Sequence, residues 1–301
     1  MAFDLIVPPL TPFNDNQKVD YDALKTMVDY VVDDSAATMV MAAGVEAQEY
    51  QFLSMEERKE LVRKTVEAVD GRTKVAVGIT HPSFRTAIEL AHFAEDLGAD
   101  AVQLLAPQKP TGGVPTTREL VSYFEAVGRE TRLPIVLYLN AGPGADLTIP
   151  QTIELAKLEQ VKFIKESSRD LSRVSRLIAE IDLAGHARYL TTMQVLLITL
   201  QLGGSGITLP PPASRLARLV VEAYERGDLP AAIELQRQFA TFPSRWMQFG
   251  LAAVMKATAN YIGLPAGQPY PPYEPVSGEA LAALHAYLET TELKRLEKTH
   301  A

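Results

Sequence analysis

The chain has 301 residues, of which 29 are Lys or Arg and 37 are Asp or Glu, so its formal charge is −8. This acidic balance argues against a nucleic-acid surface, and no window of about 18 apolar residues is free of charge, as a membrane helix requires. The sequence contains no cysteine, which excludes disulfides, cysteine nucleophiles and thiolate metal sites. No secretory leader is recognisable at Met1, so we expect a cytoplasmic protein without nucleic-acid or membrane partners.

Eight short apolar runs predict β-strands, and each is followed by a segment with helical periodicity. In chain order the predicted strands are Leu5–Pro8, Thr38–Ala42, Lys74–Gly78, Ala101–Leu105, Ile135–Leu139, Val161–Lys165, Arg188–Leu190 and Gly206–Thr208. Between them, apolar residues recur at i, i+3 and i+4, which is the spacing of a helix that buries one face. Ser54 and Thr116 predict N-terminal caps, and Gly71, Gly98 and Gly128 predict helix ends.

The alternation of apolar strands with helices indicates a parallel sheet that is buried on both faces. Eight successive units favour a (β/α)8 TIM barrel, which we assign to residues 1–226. An open, doubly wound sheet is the competing fold. That fold would usually carry a Gly-x-Gly-x-x-Gly turn after an early strand, and the sequence contains none.

The strand pattern stops at about residue 227, and helical periodicity continues alone. The predicted helices are Leu229–Phe242, Leu251–Ile262 and Ser277–Glu292, so residues 227–301 are expected to form a C-terminal three-helix extension. A proline-rich stretch, Gly267–Pro275, precedes the last of them. Its composition is compatible with a polyproline II recognition segment, but a rigid loop between helices is the favoured prediction.

Two polar residues stand at the ends of apolar strands, where an α/β barrel presents side chains to its active site. One of them, Lys165, shares a face with Val161 and Phe163 if the strand alternates regularly. A lysine that crowns the barrel interior is partly desolvated, which lowers its pKa. Its neutral amine can then attack a carbonyl carbon and form a Schiff base. The alternative is that Lys165 lies in a solvated loop or in an ion pair with Glu166.

The second polar residue is Tyr138, which shares a face with Val136 and Asn140 on the preceding strand. It lies one strand–helix unit before Lys165, so we expect neighbouring strands to bring the two side chains together. A phenol beside a Schiff-base lysine can transfer protons during carbon–carbon bond cleavage. The alternative is a strand-end tyrosine that only packs its ring.

Three further features give weaker indications. None of the five histidines has metal-ligand spacing beside a carboxylate, so no metal site is expected, and His81 near the barrel mouth is predicted to cap rather than to bind substrate. The run Gly203–Gly206 could cradle a phosphate, but no Lys or Arg follows at once, so a tight turn is favoured. Ser167 and Ser168 lack the Gly-x-Ser-x-Gly context of a serine nucleophile.

Several stretches resemble one known family along essentially the whole chain. These stretches are Pro9–Phe13, Leu53–Arg58, Leu133–Tyr138, Phe163–Asp170 and Gly203–Ile207. In these contexts Tyr138 and Lys165 match the catalytic tyrosine and the Schiff-base lysine of the dihydrodipicolinate synthase and N-acetylneuraminate lyase family of class I aldolases and lyases. The resemblance implies a homo-oligomer, a tetramer or a dimer. It also implies a small 2-keto-acid substrate and chemistry through a lysine imine, with no metal and no organic cofactor.

The sequence departs from the family pattern at the loop that binds the keto-acid carboxylate. Counted from Thr11, the family's Gly-Thr-Thr-Gly-Glu falls on Ala43–Ala47. Counted back from Leu53, its final Glu falls on Glu49, so that about two residues are inserted. Neither alignment contains a threonine. The hydroxyl that links the carboxylate to the tyrosine in the family is therefore absent.

Backbone groups are then left to line the keto-acid end of the expected site. We expect them at Gly44, Val45 and Ile207, where N–H groups can hold a carboxylate. In the same loop, the side chain of Glu46 would repel an anion if it pointed inward.

Three other segments differ from the family pattern. Pro107–Pro110 replaces the segment whose tyrosine reaches into a neighbouring subunit. The stretch Leu139–Asp146 contains no Arg to clamp a second carboxylate. Thr191–Met193 replaces a Gly-Asp-Asp stretch on the seventh strand.

These residues together predict a Schiff-base lyase, an aldolase or a dehydratase, that acts on a 2-keto acid. Lys165 would condense with the keto group, and Tyr138 would transfer protons. The lost clamp for a second carboxylate argues against dihydrodipicolinate synthase itself. One alternative is a non-catalytic relative that binds a small acid or assembles with partners. Another is a phosphate-binding barrel enzyme without imine chemistry.

Overall fold

The computed structural model describes residues 3–46 and 49–293, and its centre is a closed barrel of eight parallel strands. Each strand pairs with the next along the chain, and the last pairs with the first. The strands are β1 (Asp4–Val7), β2 (Met39–Ala42), β3 (Lys74–Gly78), β4 (Ala101–Leu105), β5 (Ile135–Leu139), β6 (Val161–Glu166), β7 (Arg188–Thr191) and β8 (Gly206–Thr208). Every predicted strand agrees with an observed one to within one residue at either end. The predicted (β/α)8 barrel is confirmed, and the open sheet is excluded by closure between β8 and β1.

Eight helices follow the eight strands in turn, and three more follow the barrel. They are α1 (Tyr21–Asp29), α2 (Met55–Val69), α3 (Phe84–Asp96), α4 (Thr117–Gly128), α5 (Ile149–Ala156), α6 (Leu171–Leu177), α7 (Leu196–Gln201), α8 (Pro211–Glu225), α9 (Leu229–Arg237), α10 (Leu251–Ile262) and α11 (Gly278–Leu288). The predicted caps are present, because Ser54 and Thr116 each form a capping box with the glutamate three residues later.

The strands separate two apolar layers. The inner layer fills the barrel and consists of Ile6, Met39, Met41, Ala76, Ala101, Val136, Phe163 and Leu190. The alternate residues of the same strands pack outward against the helices in one continuous core. Because successive side chains of a strand point to opposite faces, this division fixes which strand-end residues face the barrel interior.

Strand β6 contains an irregularity that the alternating pattern did not predict. Ile135 pairs with Val161, but the next residue, Val136, pairs with Phe163, so Lys162 is an extra residue on β6. Val161 therefore belongs to the outer core, whereas Phe163 packs on the inner layer. The expectation that Val161 shares the inner face was wrong, and the bulge is the reason. Beyond the bulge the alternation is regular, so Lys165 faces inward as predicted.

The helices after the barrel are joined to it by a buried ion pair. Lys256 on α10 lies 2.9 Å from a carboxylate oxygen of Glu49, and both side chains are almost fully buried. The Lys256 Nζ also donates to the backbone oxygens of Thr11 (2.6 Å) and Gln268 (3.1 Å). The backbone N–H of Thr11 donates to the other oxygen of Glu49 (2.8 Å). This contact fixes the loops after β1 and β2 to α10.

The proline-rich stretch lies as a loop between α10 and α11, as favoured from the sequence. Its Tyr270 ring stacks on Phe52 at 4.8 Å and meets Phe13 edge-on at 4.9 Å. The helix predicted over Leu229–Phe242 ends earlier, at Arg237. Within residues 3–46 and 49–293, no helix has the length and apolar character needed to cross a membrane.

Candidate active site

Five polar side chains meet at the carboxyl ends of the barrel strands. They come from the loop after β2, from β4, from β5 and from the end of β6. We call them the mouth cluster: Glu46, Gln103, Tyr138, Lys165 and Ser167. The first four are buried. Charged and amide side chains are rarely buried without a partner or a task, and this end of a (β/α)8 barrel is where such barrels place their active sites.

Lys165 is 2% exposed and lies deep in the mouth cluster. Its Nζ donates to the backbone oxygen of Glu166 at 3.0 Å and to the Ser167 hydroxyl at 3.4 Å. Burial lowers the pKa of Lys165 to about 8, while the carboxylates of Glu46 and Glu166 act in the opposite direction. A fraction of this amine is therefore neutral near pH 7, as nucleophilic attack on a carbonyl requires.

Tyr138 is paired with Lys165 in the register of β5 and β6, as predicted. The Lys165 Nζ lies 5.4 Å from the centroid of the Tyr138 ring. The phenol oxygen accepts hydrogen bonds from Ser167 Oγ and from Asn140 Nδ2, both at 3.3 Å. Its own hydrogen is thus left for a ligand. Burial raises the pKa of Tyr138 well above its usual value, so the phenol stays protonated and can donate.

Ser167 links the two residues that the sequence singled out. Its hydroxyl accepts from Lys165 and donates to Tyr138, so one oxygen lies between the amine and the phenol. From the sequence, Ser167 was considered only as a nucleophile, a role that its sequence context disfavours. The signal that could have found this bridge is alternation, since residues two apart on β6 point to the same side.

The loop after β2 turns sharply into the barrel mouth. Ala43 adopts a left-handed φ of 50°, which is uncommon for a residue other than glycine. A Cβ atom on Gly44 would lie 2.7 Å from a carboxyl oxygen of Glu46. Glycine at this position therefore permits the turn that brings the Glu46 side chain inward.

Glu46 is 8% exposed and points inward, which is the orientation in which it was expected to repel an anion. Its Oε1 accepts from Gln103 Nε2 at 2.9 Å, and the amide oxygen of Gln103 accepts from the Val45 N–H at 2.8 Å. The second carboxyl oxygen, Oε2, is buried without a hydrogen-bond partner among the described residues. Burial raises the pKa of Glu46, opposed by its bond to Gln103 and by the charge of Lys165.

Gly78 at the end of β3 supports this turn, and we predict that Gly78→Ala destabilises it. A Cβ there would lie 2.1 Å from the backbone oxygen of Ala43, so the loop after β2 would have to move. The expected cost is about 1–3 kcal/mol of unfolding free energy, measured in urea. Gly128→Ala is the control, because its Cβ would meet side-chain atoms and no backbone, those of Gln160 at 3.0 Å and of Ile135 at 3.9 Å. Equal losses in the two variants would contradict the prediction.

The backbone groups expected to hold a carboxylate lie in different surroundings. The Val45 N–H is already bonded to Gln103, so it could serve a ligand only if that bond opened. Gly44 precedes it in the same turn, and Ala47 lies outside the described residues. Ile207 is fully buried with its side chain in the outer core. Its neighbour Thr208 pairs with the inward-facing Ile6, and its hydroxyl has no partner among the described residues.

Two residues of this region were not singled out from the sequence: Gln103, which belongs to the mouth cluster, and Arg169, which lies close to it. Gln103 was hidden inside an apolar strand, although an amide in such a run is itself a signal. Arg169, four residues after Lys165, is exposed, donates to Gln194 at 3.1 Å and acts on Lys165 to lower its pKa. Arg169 is therefore a cation close to the mouth cluster. It was not predicted from the sequence, where an Arg was expected only after Tyr138.

A cavity of about 210 Å³ adjoins Ser167, between the loops that follow β5 and β6. Polar side chains contribute to its wall, including those of Asn140, Asp146, Ser168 and Arg173. The guanidinium of Arg173 is engaged by Glu166 at 2.7 Å and by the backbone oxygen of Leu147 at 2.8 Å. Ser167 is the member of the mouth cluster that lines this cavity, which therefore lies beside the cluster.

The weaker sequence candidates lie elsewhere. His81 Nδ1 accepts from the N–H of Ser83, directly before α3, which is the capping role that was favoured. In Gly203–Gly206, Gly203 adopts a left-handed φ of 84° and the segment turns the chain from α7 into β8, as favoured from the sequence. Within the described ranges, no three or more His, Asp or Glu side chains group as metal ligands.

Fold and site define a class: a (β/α)8-barrel protein with a buried lysine and a tyrosine hydrogen-bonded through a serine at its mouth. The chain belongs to the dihydrodipicolinate synthetase family, which it matches over residues 2–291. Enzymes of this family are lyases and synthases of the class I aldolase type.

Relatives and solved structures match over nearly the whole chain. The 4-hydroxy-tetrahydrodipicolinate synthase of Moorella thermoacetica is 28% identical over 96% of this chain and 98% of its own length. That of Methanocaldococcus jannaschii is 31% identical over 86% of this chain and 88% of its own. A putative dihydrodipicolinate synthetase from Pseudomonas aeruginosa superposes with a TM-score of 0.87 at 24% identity, covering 98% and 100% of the chains. N-acetylneuraminate lyase from Mycoplasma synoviae superposes with a TM-score of 0.82 at 21% identity. The match covers 97% of this chain and 98% of that one.

Proposed function

We propose that the protein is a lyase, an aldolase or a dehydratase, that acts on a 2-keto acid through an imine on Lys165. The single observation that carries the proposal is the state of this amine. It is buried, burial lowers its pKa to about 8, and it is connected through Ser167 to a protonated phenol. The family membership adds support, because its enzymes are of the class I aldolase type.

In the proposed reaction, the neutral amine of Lys165 adds to the keto carbon, and loss of water gives the imine. The protonated imine withdraws electrons from the adjacent carbon–carbon bond, which is the task that a metal or an organic cofactor performs elsewhere. Once the imine has formed, Tyr138 would transfer a proton to or from the substrate oxygen atom at the bond that breaks or forms, and it would be restored in a later step. Ser167 holds the phenol oxygen 3.3 Å from its own hydroxyl and so orients the donor.

The charges around the cluster restrict the substrate. Glu46 lies on the side of β2 and offers no positive charge to a carboxylate there, whereas Arg169 supplies positive charge on the side of β6. We propose that the keto-acid carboxylate lies toward Arg169 and the free hydroxyl of Thr208. The remainder of the substrate would extend into the polar cavity beside Ser167. A second carboxylate has no clamping guanidinium after Tyr138, which disfavours dihydrodipicolinate synthesis as the activity.

Three further properties belong to the proposal. The protein would act in the cytoplasm on a small molecule, without nucleic acid or membrane. It would use neither metal nor organic cofactor, because the imine itself accepts the electrons. It would assemble as a homodimer or homotetramer, which sedimentation of the full chain would test.

Reductive trapping tests the proposal directly. The protein is incubated with pyruvate and with larger 2-keto acids, reduced with borohydride, and its mass and modified peptide are determined. Pyruvate is a suitable first probe because a family protein from Escherichia coli K12, 24% identical to this chain with a TM-score of 0.87 over 97% of it and 99% of its own chain, was solved with pyruvate. An adduct on Lys165 is expected. Ligand-dependent melting without any adduct would instead support the non-catalytic alternative.

Tyr138→Phe is expected to separate imine formation from turnover. The ring still fills its place beside Leu105 and Val45, so folding should be retained. Loss of the hydroxyl removes the proton donor, and turnover should fall by about 10²–10⁴-fold. The trapped adduct on Lys165 should still form. Turnover of Tyr138→Phe within a few-fold of the original protein would remove the tyrosine from the mechanism.

A further inference from the structure

We propose that Glu46 is a second acid–base residue of this site and protonates the hydroxyl group that leaves as water when the Lys165 imine forms. The proposal rests on the imine chemistry proposed above and assigns one of its steps to a carboxyl group. It goes beyond the expectation that Glu46 merely repels anions.

The first supporting observation is that the two oxygens of the Glu46 carboxyl differ in their hydrogen bonds to the described residues. Gln103 is itself fixed by the Val45 N–H, and its amide donates to Oε1. The other oxygen, Oε2, is buried without a partner among the described residues. A buried polar atom without a partner costs free energy, so such an atom in an ordered site is expected to have a ligand or a proton to carry.

The second observation is that the chain contains specific features that bring this carboxyl group inward. The left-handed Ala43 turns the chain, and the missing side chain of Gly44 leaves the space that Oε2 approaches. The absent side chain of Gly78 allows the backbone of Ala43 to come close. Three separate features, at Ala43, Gly44 and Gly78, favour the same position of the Glu46 carboxyl group, which argues against an incidental placement.

The third observation is the set of ionisable groups that face Glu46. Lys165 on β6 attracts its negative charge, and Tyr138 on β5 and Tyr50 in the short helix after β2 interact with it electrostatically. Gln103 on β4 is its neutral partner. The only cation in this set is Lys165. Burial favours the neutral acid, so Glu46 can hold a proton at a pH where an exposed glutamate could not.

The step balances as follows. The Lys165 amine adds to the keto carbon and gives a carbinolamine, which carries one hydroxyl and one N–H. The Glu46 carboxylic acid gives its proton to this hydroxyl, the carbon–oxygen bond breaks, and water leaves. The nitrogen lone pair forms the carbon–nitrogen double bond, so the products are a protonated imine and a Glu46 carboxylate. These opposite charges then stabilise each other in a poorly solvated site.

The rate of imine formation in Glu46→Gln tests this assignment. The amide keeps the size of the side chain and an oxygen for Gln103, but it has no acidic proton. With pyruvate and borohydride, the initial rate of adduct formation on Lys165 should fall by about 10²-fold or more. The original protein should show a bell-shaped pH profile. The variant should show only the rise that follows deprotonation of Lys165, with its midpoint at lower pH because a negative charge is gone.

Two controls keep the test independent of folding. Glu49→Gln changes another buried carboxyl of the same segment, one that faces Lys256 and whose loss lowers stability. At a temperature where this variant is still folded, the trapping rate should change by less than about threefold. Glu46→Ala leaves a space at the carboxyl position, and added formate should restore part of the rate. Because formate can restore the rate only in a folded site, this control stays informative even if Glu46→Gln folds poorly.

An unchanged or faster trapping rate in Glu46→Gln, or a pH profile that stays bell-shaped, would overturn the inference and leave Glu46 as an anion-repelling group. Failure of the proposed function is read on the original protein instead. If that protein forms no adduct on Lys165 with any keto acid, the imine proposal falls and takes this step with it.

Discussion

Lys165→Ala should abolish both the borohydride-trapped adduct and turnover of any 2-keto acid that the protein processes. Without the amine, no covalent intermediate can form, and removal of a covalent nucleophile reduces turnover by about 10⁶-fold in a well-studied case. The remaining mouth cluster can still hold a ligand, so melting shifts with pyruvate should persist. Trapping followed by peptide mapping measures the first effect, and a keto-acid release assay measures the second.

The matched control is Lys162→Ala on the same strand. Lys162 is the extra residue of the β6 bulge and is exposed to solvent, away from the mouth cluster. Adduct formation and turnover should remain as in the original protein. An adduct that persists in Lys165→Ala, or that disappears in Lys162→Ala, would show that the reactive lysine has been assigned wrongly.

The pH dependence of trapping follows from the burial of Lys165. Its pKa of about 8 lies below the value of an exposed lysine, so the neutral amine increases in the range where most enzymes work. The same burial makes the ammonium form costly in the folded protein. A depressed lysine pKa therefore means lower stability at acidic pH than an exposed lysine would give.

The barrel could be predicted from the sequence because each of its strands is short, apolar and followed by a helical repeat. The period-two and period-3.6 patterns do not depend on distant contacts, so eight strands were located to within one residue. The bulge in β6 could not be predicted in this way. It lies in the register between Ile135 on β5 and Val161 on β6, two strands that are joined by a helix and that pair only in the folded sheet.

The lysine and the tyrosine of the site could also be predicted from the sequence, because Tyr138 and Lys165 follow apolar residues at strand ends. Glu46 was not, because its direction depends on the left-handed Ala43 and on the space beside Gly78, a residue of another strand. A loop with about two inserted residues has no periodicity to indicate which side chains face inward. Partnerships such as Glu46 with Gln103 therefore emerge only in the folded chain.

The buried pair Lys256–Glu49 is expected to carry the largest effect on stability. Lys256→Met removes the cation and leaves the Glu49 carboxyl facing the apolar interior, where the Thr11 N–H is its one remaining donor among residues 3–46 and 49–293. It also leaves the backbone oxygens of Thr11 and Gln268 without their donor. Breaking a buried pair on one side costs about 3–5 kcal/mol, which urea unfolding would measure. The exposed pair Lys157–Glu154 supplies the control, and Lys157→Met should change stability little.

The double variant Lys256→Met/Glu49→Gln distinguishes a lost ion pair from lost packing. An amide at position 49 can still accept from the Thr11 N–H, and no unpaired charge remains, so part of the stability should return. The two substitutions should be non-additive by about 1–3 kcal/mol, as expected for residues in direct contact. Additive losses would mean that the charge of Lys256 contributes nothing. In that case its long side chain alone, over the Phe13 ring at 4.7 Å, would hold α10 against the barrel.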